Sequence, residues 1–111
     1  MKLDRIKFSL ENLFPVSNFM LMGVQPYYEY SDGKKTENLL GYKYDIVEDD
    51  SFERFTVKIE SKEAVITTED LAKYTSRVFV EFKNSKGHIY RTPVGSIEIS
   101  FSADSMTILE A

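Results

Sequence analysis

The chain has no cysteine, a single histidine, three prolines and five glycines in 111 residues. Without cysteine there is no disulfide framework, no thiolate nucleophile and no Cys-based metal site. One imidazole, His88, leaves no second histidine for a metal cluster or a Cys/His pair, and its place beside Lys86-Gly87 predicts an ordinary turn residue. No window approaches the eighteen or so uninterrupted apolar residues of a membrane span. The first residues, Met1-Lys2-Leu3-Asp4-Arg5-Ile6, alternate charged and apolar types and lack the apolar block of a secretory signal, so a cytoplasmic address and no membrane association are expected. Missing too are the glycine-rich phosphate loops and the GxSxG elbow. The carboxylate pairs Asp49-Asp50 and Glu69-Asp70 read as solvated, and the chain is expected to be neither an enzyme nor the holder of a cofactor or metal.

What is present favours strands. Eight Phe and seven Tyr suit a pleated, half-buried surface. The length fits one domain over 1–111, burying about two thirds of its unfolded surface. Around Arg54 to Lys83 a strand, a short helix and a second strand follow one another. Phe55, Val57 and Ile59 alternate with Thr56, Lys58 and Glu60, and Val78, Val80 and Phe82 with Phe79, Glu81 and Lys83. Between them Thr67-Thr68-Glu69-Asp70 opens a helix, with a hydroxyl to accept an orphan amide and carboxylates in the first turn.

Upstream, Ile6, Phe8 and Leu10 alternate as a short strand before a turn at Asn12 to Pro15. Phe19 to Tyr30 reads as a long strand bent at Gly23, with Pro26 on an edge. Asp32-Gly33 predicts a type I′ hairpin turn, with a new strand near Thr36. Tyr42, Tyr44 and Ile46 face inward against Lys43 and Asp45, and an acidic loop with Glu48, Asp49, Asp50 and Glu53 leads back to Arg54. Downstream, Asn84-Ser85-Lys86-Gly87 reads as a turn, His88 to Thr92 extends a hairpin broken by Pro93 and Gly95, and Ile97, Ile99 and Phe101 alternate as a strand. Met106, Ile108 and Leu109 add a short terminal one. This order predicts a mainly β fold, an OB-like β-barrel with one short α-helix between strands three and four. A plain antiparallel sheet under one helix shares the order.

Eighteen acids against fourteen bases give a net charge of −4, which argues against duplex-DNA binding but leaves room for a local basic groove. If Val78, Val80 and Phe82 face the core, Phe79 faces outward between Arg77 and Glu81, with Lys83 two residues further on and Lys43 and Lys58 on the same face of neighbouring strands. Lys86, Tyr90 and Arg91 would form an adjoining loop. An outward aromatic among cations is a stacking platform and charge track for single-stranded nucleic acid. Tyr27, Tyr28 and Tyr30 read first as core and edge packing, with Tyr28 and Tyr30 sharing a face that can extend the platform.

Several short motifs point the same way: Met-Lys-Leu at the start, Tyr42-Lys43-Tyr44-Asp45-Ile46, the run from Phe79 to Asn84, and Ala103-Asp104-Ser105-Met106. In these the chain resembles the YdcP/HelP-like small proteins of integrative and conjugative elements of Gram-positive bacteria. The resemblance implies an accessory protein of conjugative transfer or element replication that binds single-stranded DNA beside a relaxase-helicase complex. The rival reading is a non-catalytic interaction module, using the acidic 48–53 loop or an exposed sheet edge. A homo-oligomer is compatible with either.

Overall fold

The computed structural model describes residues 7–109; Ile6 of the expected first strand, and the Met-Lys-Leu start, lie outside them. The chain is mainly β. Strand β1 (Lys7–Phe8) and helix α1 (Leu10–Leu13) lead into the long strands β2 (Phe19–Ser31) and β3 (Lys34–Glu48), then β4 (Arg54–Ile59). Helix α2 (Thr68–Ala72) precedes β5 (Phe79–Lys83), β6 (Lys86–Arg91), β7 (Ile97–Ser102) and β8 (Ser105–Leu109). No helix among the described residues is long and apolar enough to cross a membrane.

Local signals explain most of these elements. Asp32 and Gly33 both take positive φ, at 52° and 76°, as a type I′ turn requires. Thr67 caps α2 by accepting the Asp70 amide at 3.1 Å, and Leu71 packs against the core. At Gly23 the β2/β3 register slips by one residue, which bends β2.

Two expectations fail for tertiary reasons. Leu10 belongs to α1 rather than to a strand. Ser9 and Asn12 cap each other's amides in a capping box, and Leu10, fully buried, hands its amide to Ser85 Oγ at 2.9 Å. Asn84-Ser85 is a kink within a continuing ladder, not a hairpin turn. Lys83 faces Ser105 and Lys86 faces Ser102, so β6/β7 carries on the register of β5/β8 across Asn84-Ser85 and Ala103-Asp104. The chain reverses later, at Thr92 to Ser96, where the Gly95 amide returns to the Thr92 carbonyl. Lys86, Tyr90 and Arg91 thus lie on strand β6, not in a loop, and His88 is a half-buried strand residue facing Ser100.

The kink redirects both strands. On the β5/β8 side of it β5 pairs antiparallel with β2, whereas on the β6/β7 side β7 pairs in parallel with β4, Val57 to Phe101 and Lys58 to Ser102. Read along its bridges the sheet runs β1-β6-β7-β4-β3-β2-β5-β8. No bridge joins the two ends among the described residues, so these bridges leave the sheet open rather than a closed barrel. The core lies on one face of this curled sheet. Tyr44, Ile46, Val57, Val80 and Leu10 are its most enclosed side chains, and Phe55 links Phe14, stacked at 5.5 Å, to Phe101 at 5.0 Å.

Candidate nucleic-acid interface

Strand parity places the candidate cations. Val57 and Phe101 are paired and buried, so their neighbours Lys58 and Ser102, also paired, turn to the opposite face. On that outer face Gln25 stands opposite Lys43, Lys43 opposite Lys58, Lys58 opposite Ser102 and Ser102 opposite Lys86. Five strands thus line up one row, with three lysines in it. At ordinary strand spacing Lys43 to Lys86 covers roughly 14 Å. Like charges directly across a ladder destabilise it, and Lys43 and Lys58 are such a pair. Among the described residues the one ion pair within 4.0 Å is Lys73 with Asp70, elsewhere on α2; the row has no carboxylate that close.

Beside the row opens a groove of about 620 Å³ lined by Tyr27, Lys58, Glu60, Asn84, Lys86, Ser102, Ala103 and Asp104. Tyr27 is its aromatic wall. The ring lies over Gly41, where a Cβ would come within 2.9 Å of it and within 2.1 Å of the Ile59 carbonyl, so the close approach needs glycine. Lys58 Nζ sits 5.6 Å from the ring centroid, and burial, followed by the nearby Glu60 charge, raises the Tyr27 pKa. The far wall is built by the kink. Asn84 takes a left-handed φ of 53°, and its Nδ2 donates to Asp104 Oδ2 at 2.8 Å while the Asp104 amide donates to the Lys83 carbonyl.

The other expected residues scatter. Phe79 does turn away from the core, since Val78, Val80 and Phe82 are buried, but it is half-buried and stands in a different row, beside Met20 and Leu109. Along the sheet it is three strands and four residues from Lys58, roughly 14 Å and 13 Å. Parity sets a face, not a neighbourhood. Lys83 is exposed on β5 opposite Ser105, and Arg77 is exposed before that strand. Arg91 is exposed near the β6/β7 tip; Tyr90 there donates its hydroxyl to Glu98 at 2.8 Å, which raises its pKa. The structure therefore brings Lys43, Lys58 and Lys86 into one row, sets Lys83 three residues from Lys86 across the kink, and leaves Arg77, Phe79, Tyr90 and Arg91 apart. Tyr27, Asn84, Ser102 and Asp104 were the residues to find; the signal was the parity of β2 beyond the Gly23 slip, which turns Gln25 and Tyr27 outward, and the αL-tolerant Asn84.

The acidic loop is organised differently from its sequence reading. Glu48 is fully buried. Its carboxylate accepts from Ser17 Oγ at 2.6 Å, from the hydroxyl of Ser51, and from the amides of Asp50, Ser51 and Glu53. Burial opposes the charge, but these donors, the Ser17 and Ser51 hydroxyls foremost, outweigh it and hold the carboxyl at about 2, below the usual 4.5. Asp49, read as solvated, is half-buried and takes the Asn18 amide at 2.7 Å and Nδ2 at 3.1 Å, which lower its pKa. Of the loop, Asp50 and Glu53 stay exposed.

No group of three or more His, Cys, Asp or Glu side chains is placed to hold a metal ion among the described residues. Compared with protein-family models, with curated proteins and with solved structures, the chain matches none.

Proposed function

We propose that the chain is a non-enzymatic, OB-like domain that binds single-stranded DNA on the outer face of β3 and β4. The barrel reading is supported by the continuity of the kinked strands. If β5/β6 and β7/β8 are each counted as one bent strand, neighbours run β2, β3, β4, β7/β8, β5/β6 and back to β2. In chain order helix α2 falls between β4 and β5/β6, the third and fourth strands, as in an OB fold. The observation that carries the function is the lysine row. Lys43 and Lys58 face each other across a ladder at a cost in stability, with Lys86 in line and the Tyr27 ring adjoining, the pairing of charge track and stacking surface that a single strand requires. The conjugative setting, beside a relaxase-helicase complex, rests on the short motifs alone.

A titration of labelled oligo-dT by fluorescence anisotropy tests this reading. Three neutralised phosphates give a log–log salt slope of about −2, so fourfold more salt weakens binding roughly twentyfold. Oligo-dT affinity that ignores salt, or survives Lys43→Glu with Lys58→Glu, overturns it.

A second reading, a protein-interaction module, draws on another surface. Leu13, Ile97 and Ile99 are exposed beside Phe14 and Phe55 in an apolar groove where β4 and β7 stand apart ahead of their two-residue pairing. Absence of oligonucleotide binding, with partner capture lost in Ile97→Asp, would favour it.

A further inference from the structure

The groove beside the lysine row holds two carboxylates, and a site for phosphates alone would do better without them. Asp104 is set in place. Its amide donates to the Lys83 carbonyl at 2.9 Å, and Asn84 Nδ2 grips Oδ2 at 2.8 Å, leaving Oδ1 with no hydrogen bond among the described residues. Lys86 stands on the same wall, and Tyr27 closes the opposite side. At about 620 Å³ the space is in the range of small-ligand sites.

A carboxylate can only accept hydrogen bonds, and a lysine can only donate them. Thymine offers one N–H flanked by two carbonyls, which an anionic wall repels. Guanine carries two neighbouring donors, N1–H and the N2 amino group, that match the two oxygens of one carboxylate, and on its other edge O6 and N7, the acceptors lysine reads. We propose that this groove takes a guanine base of the single strand, its N1–H and N2 amino group on the Asp104 carboxylate, O6 and N7 toward Lys86, and its ring against Tyr27. This rests on the single-strand reading above and adds base selectivity to it. Asn84 is then a positioning residue, since it holds Asp104 rather than the base.

The test is competition at one position. A labelled oligo-dT with one central base replaced by guanine, cytosine, adenine or hypoxanthine is titrated against the full chain at fixed salt. Guanine should bind about tenfold tighter than thymine, the order of one bidentate contact. Hypoxanthine, which lacks only the N2 amino group, should fall several-fold below guanine. In Asp104→Asn the guanine-to-thymine ratio should drop to about one; the hypoxanthine comparison needs no variant and so does not depend on that protein's stability. Equal affinity for all four central bases, with oligo-dT bound and salt-sensitive, overturns the guanine site and leaves the single-strand reading standing. No binding to any of these strands overturns both.

Discussion

Glu48 and Lys58 are both charged residues of neighbouring strands, and the protein treats them in opposite ways. The carboxylate of Glu48 is closed off from water and takes hydrogen bonds from two hydroxyls and three amides. The ammonium of Lys58 stands exposed, opposite another lysine, in a row with no carboxylate within 4.0 Å among the described residues. A buried charge whose hydrogen bonds are all internal serves the fold. An exposed charge held beside its like, with the Tyr27 ring near it, adds little to the fold. The difference gives the loop a structural role, while the row is the surface on which the single-strand proposal rests.

The sharpest way to break this comparison is to exchange the consequences of mutating each side. Glu48→Ala leaves its hydroxyl and amide donors without an acceptor inside the loop, so Tm should fall by on the order of 10 °C in a thermal melt, with oligo-dT affinity at a permissive temperature little changed. The same carboxylate gives the protein an acid limit. Its folded-state pKa, about 2, lies below the ordinary 4.5, so the stability it contributes is fully present above about pH 4.5 and is lost as pH falls toward 2. Asp49, shifted in the same direction, adds to that slope. Denaturant midpoints taken across that range should decline in the native chain and decline less in Glu48→Gln.

Smaller effects sharpen the other side. Tyr27→Ala should weaken oligo-dT binding by about 1–3 kcal/mol, the worth of one stacked base, whereas Phe79→Ala, three strands from the row, should leave it within twofold while lowering Tm. Tyr90→Phe removes one exposed hydrogen bond to Glu98 and should change neither binding nor Tm measurably.

Much of the fold was legible because its signals are local. Asp32-Gly33, the Thr67 cap, the bend at Gly23 and the alternations at 42–46, 55–59 and 78–82 each depend on residues a few positions apart. What escaped depends on residues far apart in the chain. Ser9 to Asn12 was a capping box in plain view, yet Leu10 reads as a strand residue until Ser85, 75 positions away, takes its amide. Asn84-Ser85 reads as a turn because only the facing Asp104 shows that the ladder resumes. The site was half legible for the same reason. Alternation places Lys43, Lys58 and Phe79 outward correctly, but the register of β2 against β5 and of β4 against β7 decides which of them meet, and it joins Lys58 to Lys86 and Tyr27 rather than to Phe79.

The most direct test is Lys58→Glu read in two assays at once, oligo-dT anisotropy and a thermal melt. Reversal at this position exchanges a like-charge pair with Lys43 for an opposite one, a gain of about 0.2–1 kcal/mol, against loss of an exposed contact with Tyr27 of similar size. The account predicts at least tenfold weaker binding with Tm moved by no more than about 3 °C. Undiminished binding, or a collapse of Tm like that of Glu48→Ala, would contradict it.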